Sequence, residues 1–97
     1  MRLRFTPRAI HDLSNIADYI RERSPAASRR VRTSVLASLQ KLLMFPSLGR
    51  PQTTEGVRKL VTQRYSYLVY YTIDVTADEI VVLSVKHPAQ KRAYEDS

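Results

Sequence analysis

Leu3 and Phe5 alternate with Arg2 and Arg4 at the start of the chain, the period of two expected of a half-buried strand over residues 1–5. Thr6-Pro7 then reads as a helix start, with Thr as the N-cap and Pro at the first helical position. Behind it Ile10, Leu13, Ala17 and Ile20 recur at spacings of three and four, with Ala9 and Ile16 flanking the stripe. Ser24-Pro25 repeats the signature and opens a second helix. Its apolar face is Val31, Val35, Leu39 and Leu42, with Leu36 and Leu43 beside it, and Phe45-Pro46 stops it. Two helices joined by so short a turn should pack as an antiparallel hairpin.

The period changes after "PSLGRPQTTEG" (46–56), whose prolines and glycines predict a surface loop. Three strand-like runs follow, at 57–62, 66–73 and 79–85, with "DVTAD" as the hairpin between the last two. The near-unbroken apolar run "IVVLSV" predicts a central strand and its alternating neighbours more exposed ones. The order is β-α-α-β-β-β. It implies an α+β fold, with the helical hairpin packed on one face of a small, mostly antiparallel four-stranded sheet. One domain over 1–97 accounts for the whole chain, with 88–97 as a polar tail. In "RYSYLVYYTI", Tyr65, Tyr67, Val69, Tyr71 and Ile73 should face one way and Leu68, Tyr70 and Thr72 the other. The sheet face away from the helices is expected to stay open or to take a partner.

Composition narrows the chemistry. The chain has no cysteine, so neither a disulfide nor a thiolate zinc site is available. No apolar run approaches the ~18 residues of a membrane span, and the N-terminus lacks the apolar stretch of a signal peptide. A cytoplasmic location without membrane contact is the expectation. The net charge is +7, and ten of the sixteen cations lie in the first fifty residues against only Asp12, Asp18 and Glu22. Such a field favours an acidic partner. Asp12, Asp18 and Glu22 read as surface ion-pair partners of Arg8 and Arg21 rather than as acid–base catalysts. His11 and His87 have no further ligand at metal spacing, so neither a metal nor a cofactor is expected. Arg29, Arg30 and Arg32 in "SRRVRTSV" form either a solvated helix face or a contact with an acidic surface or with DNA.

A longer pattern emerges when the pieces are taken in order. "FTPRAIHDLSNIADYI", "AASRRVRTSVLASLQKLLMFPSLGRP", "GVRKLV", "YSYLVYYTI" and "IVVLSVKHPAQKR" together resemble the RelE/ParE superfamily of toxins from type II toxin–antitoxin modules, over roughly residues 3–94. The resemblance implies a helical hairpin on a sheet and an acidic cognate antitoxin whose C-terminal segment folds along the toxin. It offers two targets: the ribosome, for RelE-like endoribonucleases, and DNA gyrase, for ParE-like inhibitors.

Cutting RNA through its 2′-hydroxyl without a metal needs a base, an acid and cations around the phosphate. Arg58 matches the family's first basic position, but Leu60, Tyr67 and Pro88 fall where further cations are expected, and only Tyr94 matches the C-terminal tyrosine. The gyrase-inhibiting branch is therefore the expectation, with a ribonuclease using Arg58, His87 and Tyr94, or an inactive antitoxin-binding remnant, as alternatives. Target contacts are expected from Arg58, Lys59, Arg64, Tyr67, Lys86, His87, Lys91 and Arg92. Leu42, Leu43, Met44 and Phe45 exceed what one helix face can bury and are the candidates for antitoxin binding.

Overall fold

The computed structural model describes residues 1–89. It contains β1 (Arg2–Phe5), α1 (Pro7–Arg23), α2 (Pro25–Met44), a 3-10 turn (Pro46–Leu48), β2 (Arg50–Pro51), β3 (Val57–Val61), β4 (Leu68–Asp74) and β5 (Glu79–Lys86). The sheet order is β1-β5-β4-β3-β2; β1 runs parallel to β5 and every other pair is antiparallel. The apolar β5 run is an interior strand, as its composition predicts, between β1 and β4; the middle strand of the five is β4. The sheet has five strands and not four, because Arg50 and Pro51 pair with Lys59 and Arg58 inside the segment expected to be loop. A two-residue strand carries no side-chain period, so it leaves no pattern to read.

The caps explain where the helices begin. Thr6 Oγ1 accepts from the Ala9 N–H at 3.1 Å, and Pro7 sits at the first helical position. Ser24 serves both helices. Its own N–H donates to Ile20 O at 2.8 Å to close α1, while its hydroxyl accepts from the Ala27 N–H at 3.2 Å to open α2. One residue joins two helices. Ser24→Ala is expected to cost about 1 kcal/mol, read as a lower urea midpoint at unchanged slope.

On α1 the core-facing residue is Ala9, with Leu13, Ile16 and Ile20 half-buried against the core, whereas Ile10 is 59% exposed. The true stripe is thus rotated off Ile10 towards Ala9. α2 keeps the expected face: Val31, Val35, Leu39 and Leu42 are buried with Val69, Tyr71, Ile80 and Val82 of the sheet. Tyr67, Val69, Tyr71 and Ile73 do share the helix side, and Leu68 and Tyr70 the other. The expectation of an open outer face is corrected: Val57, Leu68, Tyr70, Val81 and Ser84 are all buried.

A bulge in β5 sets the last part of the inner face. Tyr70 pairs with Ser84 but Tyr71 pairs with Val82, leaving Leu83 as the extra residue. Ile80 and Val82 face the helices, and the bulge turns Val85 rather than Ser84 to the same side. Just past the end of β1, the Val85 N–H donates to Asp12 Oδ2 at 3.0 Å. Asp12 Oδ1 lies 3.7 Å from Arg8 Nε and 3.8 Å from Lys86 Nζ. The carboxylate expected to be a surface ion pair therefore keeps its Arg8 partner and also ties α1 to β5.

Candidate functional site

Arg58 and Tyr71 are cross-strand partners on the inner face, and both reach the turn after α2. The Tyr71 hydroxyl donates to Pro46 O at 2.7 Å and accepts from the Gly49 N–H at 2.8 Å. The Arg58 guanidinium donates to Gly49 O at 2.7 Å and to Ser47 O at 3.2 Å. Gly49 is required by space: a Cβ there would stand 2.6 Å from the Tyr71 ring and hydroxyl. The phenol's pKa is raised by burial, against the smaller lowering effects of the Gly49 hydrogen bond and Arg58. Arg58 thus has a structural task, and its donors are directed at backbone carbonyls.

The remaining expected contacts are dispersed. Lys59 neighbours Arg58 but faces the other side of the sheet, opposite Tyr70. Tyr67 is buried on the helix side with its ring edge-on to His87, centroids 5.5 Å apart. Its pKa is raised by desolvation first and by Tyr65 second. His87 is itself exposed, and its Nδ1 accepts from the Ala89 N–H at 3.1 Å. Lys86 is engaged by Asp12 and mostly covered. Arg64 is exposed in the β3–β4 loop. Lys91, Arg92 and Tyr94 lie outside the described residues.

"LLMF" divides as well. Leu42 is fully buried in the core and offers no docking surface, Leu43 is half-buried, and only Met44 (74% exposed) and Phe45 (59%) are open. Helical geometry turns neighbours roughly 100° apart, so four consecutive residues cannot share one face.

Two grooves replace the expected sheet surface. The first, about 540 Å³, lies between the hairpin and the sheet. Phe5, Leu13, Ile16, Ile20, Val35 and Tyr67 make it apolar, and Arg21, Arg29 and Arg32 also line it. The second, about 560 Å³, runs between α2 and the β3–β4 loop, and most of the residues that line it are polar or basic. Its loop wall is unusual in that Tyr65 and Ser66 are both left-handed, at φ 66° and 54°. Each costs about 1–2 kcal/mol. Thr62 holds them there: its buried hydroxyl donates to Arg64 O at 2.8 Å and accepts from the Tyr67 N–H at 3.0 Å. Sequence reasoning placed Arg64 in a turn and missed Thr62, whose role depends on backbone geometry alone.

The family described as ParE toxin of type II toxin–antitoxin system, parDE, matches residues 3–92. The chain belongs to the ParE toxin family. A ParE-family chain of this kind has relatives on both sides of the superfamily. It is 31% identical over 90 residues to the protein named putative toxin Y4kP of Sinorhizobium fredii, covering 93% of this chain and 91% of that one. It is 32% identical over 87 residues to toxin RelE2 of Caulobacter vibrioides, covering 89% and 93%. In fold it is similar to a chain of the chromosomal ParDE toxin–antitoxin system of P. aeruginosa, with a TM-score of 0.75 at 24% identity, covering 90% of this chain and 95% of that chain. This ParE-family protein is thus a toxin of the type II toxin–antitoxin class. Among its described residues no helix is long and apolar enough to cross a membrane, and no group of three acidic or histidine side chains could hold a metal.

Proposed function

We propose that this toxin arrests growth by inhibiting DNA gyrase and is silenced by an acidic antitoxin segment. The observation that carries the first half is the environment of position 60. Leu60 is 8% exposed and packed in the core, so the place where a ribonuclease of this fold would offer a cation is filled by hydrocarbon. Tyr67 is buried at a second such place, and the guanidinium of Arg58 is directed at the Gly49 and Ser47 carbonyls. A phosphorane would meet too little positive charge to be stabilised.

The second half rests on the apolar groove. Its arginines stand where an amphipathic helix, apolar side inward, would place acidic residues. Met44 and Phe45 add exposed apolar surface at the end of α2. The solved ParDE relative is a toxin–antitoxin system, consistent with a partner of this kind.

The test is a supercoiling assay with gyrase, ATP, relaxed plasmid and this chain freed of antitoxin. Loss of supercoiling with accumulation of cleaved plasmid is the expected result. Undisturbed supercoiling by protein that still arrests growth would reject gyrase, and messenger RNA cleaved on ribosomes would then favour the RelE-like alternative. Undisturbed supercoiling without growth arrest would identify an inactive antitoxin-binding remnant.

A further inference from the structure

Seven of the described cations are visibly engaged. Arg2 and Arg4 pair with Glu79, Arg8 and Lys86 with Asp12, and Arg21 with Asp18. Arg58 is held by loop carbonyls, and Arg23 lies 3.8 Å over the Tyr19 ring. Arg29, Arg30, Lys41 and Arg64 differ. All four are exposed, none has an ion pair among the described residues, and all four line the second groove. No acidic residue lines it.

We propose that this groove binds the sugar–phosphate backbone of duplex DNA. The α2 wall extends from Ala26 to Lys41, about 22 Å at the rise of a helix. Laid along one strand, whose successive phosphates are about 7 Å apart, that length spans about three to four phosphates. The cations supply charge-assisted bonds to phosphate oxygens, and Thr33, Ser34 and Ser38 supply hydroxyls of the kind that position a backbone. An acidic protein would need apolar anchors between the charges, and Tyr65 is the one large ring in the lining. The loop held by Thr62 forms the other wall with Gln63, Arg64 and Tyr65, so a cation stands on each side of the groove. The proposal concerns naked DNA and does not depend on which target the toxin stops.

The test is fluorescence anisotropy of a labelled 20-base-pair duplex titrated with the full chain at several salt concentrations. Four engaged cations predict a log–log salt slope of about −3.6, or about a hundredfold loss of affinity between 50 and 200 mM. Arg30→Gln with Arg64→Gln should halve the slope and weaken binding at least about tenfold. Arg2→Gln with Arg50→Gln removes the same charge outside the groove and should leave the slope within about half a unit. Circular dichroism checks that both variants fold. Absence of duplex binding by the wild type overturns the proposal. So does an equal loss from the two pairs, which would make the effect one of net charge. Polyglutamate binding as tightly as the duplex, and equally weakened by the groove pair, would assign the groove to an acidic protein instead.

Discussion

Tyr71→Phe is expected to destabilise the toxin by about 2–4 kcal/mol although it removes a single oxygen atom. That hydroxyl is bonded to Pro46 O and to the Gly49 N–H, so its loss strands a donor and an acceptor together. Gly49 is buried, and water cannot freely replace either bond. Gly49→Ala should cost about 1–3 kcal/mol by a different route, since its Cβ would overlap the Tyr71 ring. The two changes are coupled. In the double variant the methyl no longer meets a hydroxyl, but the ring carbons nearby remain, so the costs should sum to less than the singles by about 0.5–1 kcal/mol. Urea unfolding of the four proteins measures this, and strict additivity would mean that the turn is held by something other than this contact. Arg58 donates to the same turn, so Arg58→Ala should also lower the midpoint, a result that its expected role in target contact alone would not produce.

Leu42→Ala is expected to cost about 2–5 kcal/mol, enough to bring a domain of this size near its unfolding threshold. Met44→Ala and Phe45→Ala, two and three residues on, should each change stability by less than about 0.5 kcal/mol. Leu42 is fully buried among core residues while the other two are open. Antitoxin co-purification should follow the opposite order, weakened by Met44 and Phe45 changes in proteins that remain folded. A large stability loss at Phe45 would show that the end of α2 belongs to the core and offers no docking surface.

These two sets of variants also show where sequence is readable. Thr6-Pro7 and Ser24-Pro25 announce the helix starts because capping is decided within four residues. The β4 and β5 strands are legible because alternation and apolar runs are local properties of the chain. The Tyr71–Gly49–Arg58 cluster is not, since its members are 9 to 22 positions apart and meet only once the sheet has formed. The ion pair of Asp12 with Arg8 is borne out, but the bond of Asp12 to the sheet is not legible, for the same reason. Its helical neighbour Arg8 is visible in sequence, whereas Val85 lies 73 residues away. The bulge at Leu83 and the left-handed pair Tyr65-Ser66 left no mark, because neither residue type is typical of the geometry it adopts. The candidate site suffered most. A basic surface was inferred from strand position, yet one-residue offsets send Arg58 and Lys59 to opposite faces.

The place of β5 has a kinetic consequence. It is an interior strand, flanked by β1 on one side and β4 on the other. Docking β1 brings Thr6 to Leu83 across 77 positions, so the first strand of the chain must wait for the last described one. The capped hairpin can form early from local contacts, but its apolar stripe then has no sheet to cover it. Such an order of events predicts slow folding for a chain of this length, through a helical species prone to association. A newly made toxin would pass through that state each time it is synthesised, and a partner present then could capture it before it becomes active.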